Sequence, residues 1–289
     1  SNTTDLSYSK SYNTGNVRAS LGYTDQKGIV ENTSLERLSG RLNATQRLFD
    51  DKLTLRAQAS LSGVDEERAP ISGVAGSTGD LIGASITQNP TAPIDRTFDP
   101  GGNVLNPVSL LENFQGLAQS NRFLANLSAE YAFTSELSSK VTVGYDKQDT
   151  ETTSVFSSDV IGLNGVSGIG RGRYDTFNQE NTLFEATLNY IKNFDNSSLD
   201  VVAGFSYQKF QRDGFGSEGA GFDNTDLGVM ADQLVQAYNN VTAAVDNFAV
   251  LGYGQDGTYL NTILPGFTSS QQIKDCFQNG LNWNPVSLY

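Results

Sequence analysis

The chain has 289 residues, with 19 Lys and Arg against 32 Asp and Glu, a formal net charge of −13 and no histidine. The lack of histidine excludes imidazole-based catalytic triads and zinc sites with histidine ligands. An isoelectric point near 4.4 argues against nucleic-acid binding through a basic surface, and no run approaches the roughly 18 apolar residues of a membrane-spanning helix.

Alternation of apolar and polar residues is the main structural signal, and it predicts eight β-strands. In the clearest of them, over 53–63, one set of alternate positions holds only Leu, Ala and Gly, and the other holds Thr, Arg, Gln and Ser. Successive side chains of a strand point to opposite faces, so each such segment has one apolar and one polar face. The apolar positions of the predicted strands begin at Leu6, Val17, Leu38, Leu53, Phe123, Leu137, Phe184 and Leu199.

The connections between the predicted strands alternate between short and long. Turns of a few residues, rich in Asn, Asp, Ser, Thr and Gly, follow each odd-numbered strand. Long connections over 26–34, 65–120 and 150–176 follow the even-numbered strands, and the residues after about 211 form the last one. All short turns therefore lie at one end of the sheet. This arrangement is typical of an outer-membrane barrel, with short periplasmic turns and long extracellular loops.

Two helices are predicted in the long connections. The first starts at Asn106-Pro107 and runs through Glu112, since proline suits the first helical position. The second lies near 226–248, where apolar residues recur at helical spacing. We therefore expect residues 1–213 to form barrel strands with their loops, and residues 214–289 to form an extracellular region that contains the second helix.

The polar faces of the strands supply the candidate site. In a barrel they point into the lumen, where they line a transport path or form a polar network. The predicted lumen-facing residues are Arg18, Arg37, Arg41, Arg56, Gln58, Arg122, Asn126 and Glu130. Tyr253, Tyr259 and Trp283 are candidates for stacking on a substrate, although loop aromatics also pack locally. No catalytic residue, metal ligand or cofactor is expected, because no acidic cluster has a partner group and no phosphate-binding motif occurs.

Several segments resemble SusC-like TonB-dependent transporters. Gly22–Phe49 resembles early barrel strands, Asn89–Leu111 the first large extracellular loop, and Asn121–Phe133 with Leu137–Asp146 the next hairpin. The resemblance implies a plugged barrel of about 22 strands in the outer membrane of a Gram-negative bacterium. It also implies import of oligosaccharides or peptides, energy supplied through TonB, and a SusD-like lipoprotein as partner. The chain would then be an early sector of such a barrel, without the plug on which TonB acts.

Two other interpretations remain open at this point. The eight strands could form a complete small barrel with a structural or adhesive role, in which the first strand pairs with the last. Alternatively, the chain could be a soluble β-rich adhesin or carbohydrate-binding module. In that case Leu55, Leu127 and Val201 would be buried beneath a second sheet.

Overall fold

The computed structural model describes residues 1–71, 80–101, 104–163, 166–222, 224–243 and 282–283. The strands are β1 (Asn2–Tyr12), β2 (Gly15–Lys27), β3 (Ser34–Leu48), β4 (Leu53–Arg68), β5 (Phe114–Ala132), β6 (Leu137–Phe156), β7 (Arg171–Phe194), β8 (Ser197–Ala220) and β9 (Asn282–Trp283). The helices are α1 (Leu81–Thr87), α2 (Pro107–Glu112) and α3 (Leu227–Ala243).

The strands form one antiparallel sheet whose order follows the chain from β1 to β9. Each ladder between β1 and β8 keeps a single register along its whole length. Each face therefore carries one set of alternate positions from every strand. β1 lies at one edge, and in the described sheet β8 pairs with β7 and β9. The structure thus disagrees with a small barrel closed by β1 and β8.

We call the face that contains Leu21, Leu61 and Leu127 the apolar face, and the face that contains Arg41 and Arg122 the polar face. On the apolar face Leu21 is 59% exposed and Leu127 is 54% exposed. A soluble sandwich would bury such residues, so this alternative also disagrees with the structure. The predicted fold class, an all-β antiparallel meander of the kind found in transmembrane barrels, is confirmed.

The buried residues lie mainly at the end of the sheet where the long connections meet. A first group joins α1, α2 and the segment between β6 and β7, and we call it the loop cluster. Its buried members are Leu81, Ala84, Leu105, Leu110, Val160, Leu163 and Val166. A second group, the helix cluster, holds α3 against the ends of β6 and β7. Its buried members are Val155, Tyr174, Phe222, Met230, Ala231, Leu234 and Ala237.

The strands extend further into this end of the molecule than the sequence predicts. β4 continues to Arg68 and β5 begins at Phe114, within the predicted connection 65–120. β6 and β7 likewise extend into the predicted connection 150–176, and β8 continues to Ala220. The backbone ladder persists there, but apolar and polar residues no longer alternate cleanly. The predicted strand ends at the long-loop side were therefore wrong. The backbone hydrogen bonds of the sheet continue there, although the side chains no longer have to form an apolar belt.

Of the three helices within the described ranges, two match the sequence prediction. α2 spans Pro107–Glu112, as predicted, and the Asn106 side chain accepts hydrogen bonds from the amides of Val108 and Ser109. α3 lies inside the predicted range 226–248. α1, whose N-cap is Asp80, was not predicted. Over the described residues, no helix is both long and apolar enough to cross a bilayer.

Candidate functional site on the polar face

All the predicted lumen-facing residues occupy polar-face positions, as the registers show. Gln58 lies between Asn43 and Asn126 on the neighbouring strands. Arg41 lies between Ser20 and Ser60. The remaining members of the set are Arg18, Arg37, Arg56, Arg122 and Glu130. Their shared face follows from the ladders, and their role in a transport path stays a prediction.

Arginine and lysine are divided between the two faces of the sheet. Every strand arginine occupies a polar-face position: Arg18, Arg37, Arg41, Arg47, Arg56, Arg68, Arg122, Arg171, Arg173 and Arg212. The strand lysines, except Lys140, occupy apolar-face positions: Lys10, Lys27, Lys147, Lys192 and Lys209. A lysine stem can lie along apolar surface while its ammonium reaches water. The guanidinium instead offers a fork of donors suited to carboxylates.

The polar face is cationic although the chain as a whole is acidic, with a formal charge of −13. The carboxylates at its strand positions are fewer than the arginines and Lys140 together. They are Asp5, Glu66, Glu130, Asp146, Asp175, Glu185, Asp200 and Glu218. The surplus of negative charge therefore lies elsewhere, on the loops, the turns and the long-loop ends of the strands.

Two of the ion pairs on this face hold Arg122 and Arg56. The Arg122 guanidinium donates to Asp146 through both Nε and Nη2, at 2.9 and 2.7 Å. Arg56 Nη1 donates to Glu130 Oε2 at 2.9 Å. Asp146 is 17% exposed, whereas Arg122 is 50% exposed. The carboxylate thus lies mostly beneath the guanidinium, whose outer surface faces the open side of the sheet.

Arg18, Arg37 and Arg41 differ from these two, because their side chains make no ion pair or hydrogen bond within the described parts of the chain. Arg37 lies opposite Thr24 and Val64. Ser20 and Ser60 lie beside Arg41, and among the described residues no side chain holds its guanidinium. Three guanidinium groups on β2 and β3 are therefore available to an anion that approaches the polar face.

A concavity of about 390 Å³ is lined both by Arg41, which makes no ion pair within the described residues, and by Arg122, which is paired with Asp146. It is lined by Arg41, Ser60, Ser62, Val64, Ser120, Arg122, Leu124 and Gln148, all at polar-face positions. The Ser120 and Thr150 hydroxyls lie 3.0 Å apart beside it, and Gln148 Nε2 donates to Ser120 at 3.5 Å. The floor of the concavity therefore combines charged and neutral hydrogen-bonding groups with two apolar side chains.

Sequence reasoning missed part of this face. Leu124 lines the concavity, and Phe210 on the same face is 56% exposed. Phe177 lies under the Arg212 guanidinium, which is 4.5 Å from the ring centroid. Each of these residues shares its alternate position with polar neighbours along its strand. Strict alternation along each strand would have found them, whereas the sequence prediction named only polar residues for this face.

Electrostatic shifts at the long-loop end are local. Burial in the helix cluster, helped by a hydrogen bond to Glu151, raises the pKa of the Tyr174 hydroxyl, which therefore stays protonated. The Thr97 amide and hydroxyl, which donate to Asp95, lower the pKa of that carboxyl. Neither group forms a metal site, and across the described ranges no three potential ligands gather around a common point.

The predicted aromatic candidates fall mostly beyond the described structure. Tyr253 and Tyr259 lie outside the described residues. Trp283 lies in β9, where its backbone pairs with Gly219 of β8, and its side chain lies outside the described part of the molecule. Their proposed contact with substrate stays a prediction.

No family model matches the sequence, but two curated receptors are similar to it over most of its length. The chain is 27% identical to TonB-dependent receptor SusC of Bacteroides thetaiotaomicron, covering 89% of this chain and 28% of that protein. It is 26% identical to TonB-dependent receptor P3 of Formosa agariphila, covering 90% of this chain and 27% of that protein. The chain thus spans little more than a quarter of the length of these relatives.

Solved structures share the same fold. A chain of the RagAB peptide transporter superposes with a TM-score of 0.64 at 20% identity, covering 78% of this chain and 26% of that one. The RagAB peptide importer in its open-open state gives a TM-score of 0.60 at the same identity. At this level of identity the likeness is evidence for the fold.

Proposed function

The chain is a homologue of SusC-like TonB-dependent receptors, and on this basis we propose that it forms part of the wall and the extracellular loops of an outer-membrane nutrient importer. The proposed receptor lies in the outer membrane of a Gram-negative bacterium. It moves its substrate through the barrel and makes or breaks no covalent bond. Its energy comes through TonB, which acts on a plug in another part of the receptor.

The separation of the two faces carries this proposal. A polar face rich in arginine suits the wall of an aqueous path, because water hydrates the guanidinium groups there. An apolar face with half-exposed leucines suits contact with hydrocarbon, where each strand must satisfy its backbone hydrogen bonds through its neighbours. The unbroken ladders from β1 to β8 meet that requirement.

Oligosaccharides or peptides are the proposed substrates, and a SusD-like lipoprotein is the proposed partner. Support comes from the relation to SusC and from the fold shared with a transporter named for peptides. The loop cluster and the helix cluster give the long-loop end a packed surface on which such a lipoprotein could rest. Leu110, which is fully buried, anchors α2 in the first of these.

Deletion of the gene for the full-length receptor tests the proposed activity. The deletion strain should lose growth on the oligomers that the wild-type strain uses, and should lose uptake of the same oligomers carrying a fluorescent label. Reintroduction of the receptor should restore both, provided TonB is present. Unchanged uptake of every oligomer tested in the deletion strain would contradict the proposal.

A second experiment tests the lipoprotein partner. Leu110→Asp places a charge inside the loop cluster, so it should disorder that region and reduce the amount of lipoprotein that copurifies with the tagged receptor. Asn43→Asp adds the same charge on the polar face and serves as the control. Limited proteolysis shows whether Leu110→Asp has opened the loop cluster. If the cluster is open and the lipoprotein still copurifies in full, the proposed docking surface is contradicted.

A further inference from the structure

We infer that the polar face of β2–β5 recognises anionic groups, so that the substrate of the proposed importer is an oligomer that carries carboxylates. Arg41 and Arg122 share one concavity with serine hydroxyls, and Arg18 and Arg37 flank it on β2 and β3. This inference rests on the proposed transport function. It adds the chemical class of the cargo.

The charge balance around the concavity favours an anion. Arg18, Arg37 and Arg41 have no carboxylate partner in the part of the chain that the structure describes. On the polar face of β1–β4 the carboxylates are Asp5 and Glu66. Glu66 binds Arg68 through a 2.7 Å hydrogen bond from Nε, and Asp5 lies opposite Gly22. Neither carboxylate neutralises the three arginines.

The geometry of Arg122 points in the same direction. Asp146 holds the guanidinium through two hydrogen bonds and is itself mostly covered. An approaching anion therefore meets the exposed guanidinium rather than the carboxylate. A fixed guanidinium loses little conformational freedom when it binds a second anion, which favours recognition over a flexible lysine at the same position.

Neutral donors complete the site. Ser60, Ser62 and Ser120 line the concavity with Gln148, and their hydroxyl and amide groups can donate to carboxylate oxygens or accept from substrate hydroxyls. Leu124 offers an apolar surface for the body of the ligand. A site of arginines, small hydroxyl residues and two apolar side chains suits a carboxylate on an oligomer better than an isolated inorganic ion.

The spacing of the arginines suits an extended ligand. Arg37 and Arg41 are four residues apart on β3, which corresponds to about 13 Å along a strand. At this spacing the two guanidinium groups can contact separate anionic groups of one extended ligand. A chain with several carboxylates can bind them in succession as it moves along the polar face.

Isothermal titration calorimetry on the purified full-length receptor tests the inference with two pairs of probes. One pair is a tetragalacturonate and a neutral galactose tetramer, and the other is tetraglutamate and tetraglutamine. At about 50 mM salt, where charge interactions are weakly screened, at least one acidic probe should bind more tightly than its neutral counterpart. The arm that binds distinguishes a sugar from a peptide source.

Arg41→Gln should weaken binding of that acidic probe about tenfold, since it removes a charge-assisted hydrogen-bonding group. Arg41→Lys should retain part of the affinity. Lys209→Gln removes the same charge from the apolar face and should leave binding unchanged. Thermal unfolding of each variant establishes that it is folded.

Two results would overturn the inference. One is equal binding of acidic and neutral probes, and the other is acidic-probe binding that Arg41→Gln leaves unchanged. The second result is expected if a carboxylate from another part of the receptor occupies the arginines. In either case, uptake of neutral oligomers by the wild-type receptor would still support the proposed transport function. If the wild-type receptor took up no oligomer at all, both the transport function and the inference about its cargo would be contradicted.

Discussion

The loop cluster and the strand sheet place their apolar residues in opposite environments. In the loop cluster Leu110 is 0% exposed and is surrounded by other side chains of the protein. On the apolar face Leu127, a residue of the same type, is 54% exposed in the isolated chain. The two leucines belong to one polypeptide, yet only the first is covered by protein.

This difference indicates that two surroundings stabilise the molecule. The loop cluster follows the rules of a water-soluble core, where close packing of side chains limits what a position tolerates. The apolar face instead requires a medium that fills the space around it, and hydrocarbon chains do so without fixed shape. A mutation that leaves a void should therefore matter in the first region and much less in the second.

The largest expected effect is at Leu110. Leu110→Ala leaves a cavity in the loop cluster and should cost about 2–5 kcal/mol of local stability. Hydrogen exchange of the α1 and α2 amides in the full-length receptor measures this cost. Leu127→Ala is the matched control, and its effect should be clearly smaller because lipid can fill the vacated volume. Equal losses at the two positions would contradict the proposed difference.

The next effect concerns the two faces of one strand. Ala57→Arg places a charge on the apolar face of β4 and should cost ~2–4 kcal/mol if that position lies near the middle of a bilayer. Gln58→Arg places the same group on the polar face and should be mild. Refolding of the receptor into lipid vesicles across a urea series measures both. Similar costs for the two variants would show that the faces are wrongly assigned.

Asn106 tests how the loop cluster is held. Its Oδ1 accepts from the amides of Val108 and Ser109, and its Nδ2 donates to the carbonyls of Asp95 and Phe98. Asn106→Ala removes all four contacts and should cost about 1–3 kcal/mol, since the first amides of α2 and the carbonyls of Asp95 and Phe98 lose partners.

Asn106→Ser separates the two contributions to that cost. Serine keeps a capping oxygen but has no amide to reach the carbonyls of Asp95 and Phe98. Its cost, measured by the same hydrogen-exchange experiment, should lie between wild type and Asn106→Ala. A serine variant as unstable as the alanine variant would show that the cap contributes little.

The smallest expected effect is on the polar face. Asp146→Asn weakens the contact with Arg122 and should cost below about 1 kcal/mol, because the guanidinium is half exposed to water. Asp200→Asn, on the same face of β8, gives the matched charge change. Thermal unfolding in vesicles compares them. A loss of several kcal/mol for Asp146→Asn alone would indicate that the polar face is drier than proposed.

Local sequence signals predicted much of the fold. Alternation located the eight long strands and assigned their faces, because a period of two survives wherever one side must be apolar. Asn106-Pro107 predicted the start of α2, since both residues have specific roles at a helix N-terminus. The extensions of β4 and β5 were missed because their backbone pairing does not depend on which side chains they carry.

The missed features depend on distant contacts. α1 has seven residues, and its isoleucines Ile82 and Ile86 are exposed while Leu81 and Ala84 are buried. Its pattern therefore gives no clear apolar stripe. The pairing of Arg122 with Asp146 requires the register of β5 and β6 and a choice of side-chain rotamers. The sequence could predict that both residues are polar, but not that they bind each other.

Site-directed spin labelling of the full-length receptor in lipid vesicles tests the covering of the apolar face most directly. Cys276 and any other native cysteine of the receptor are first replaced. Single labels are then placed at Leu127→Cys and Ser128→Cys, two adjacent positions of β5. The label at 127 should be reached by oxygen dissolved in the bilayer and protected from a water-soluble nickel complex, and the label at 128 should show the opposite. Equal access of the nickel complex to both labels, or protection of 128 with exposure of 127, would contradict the account.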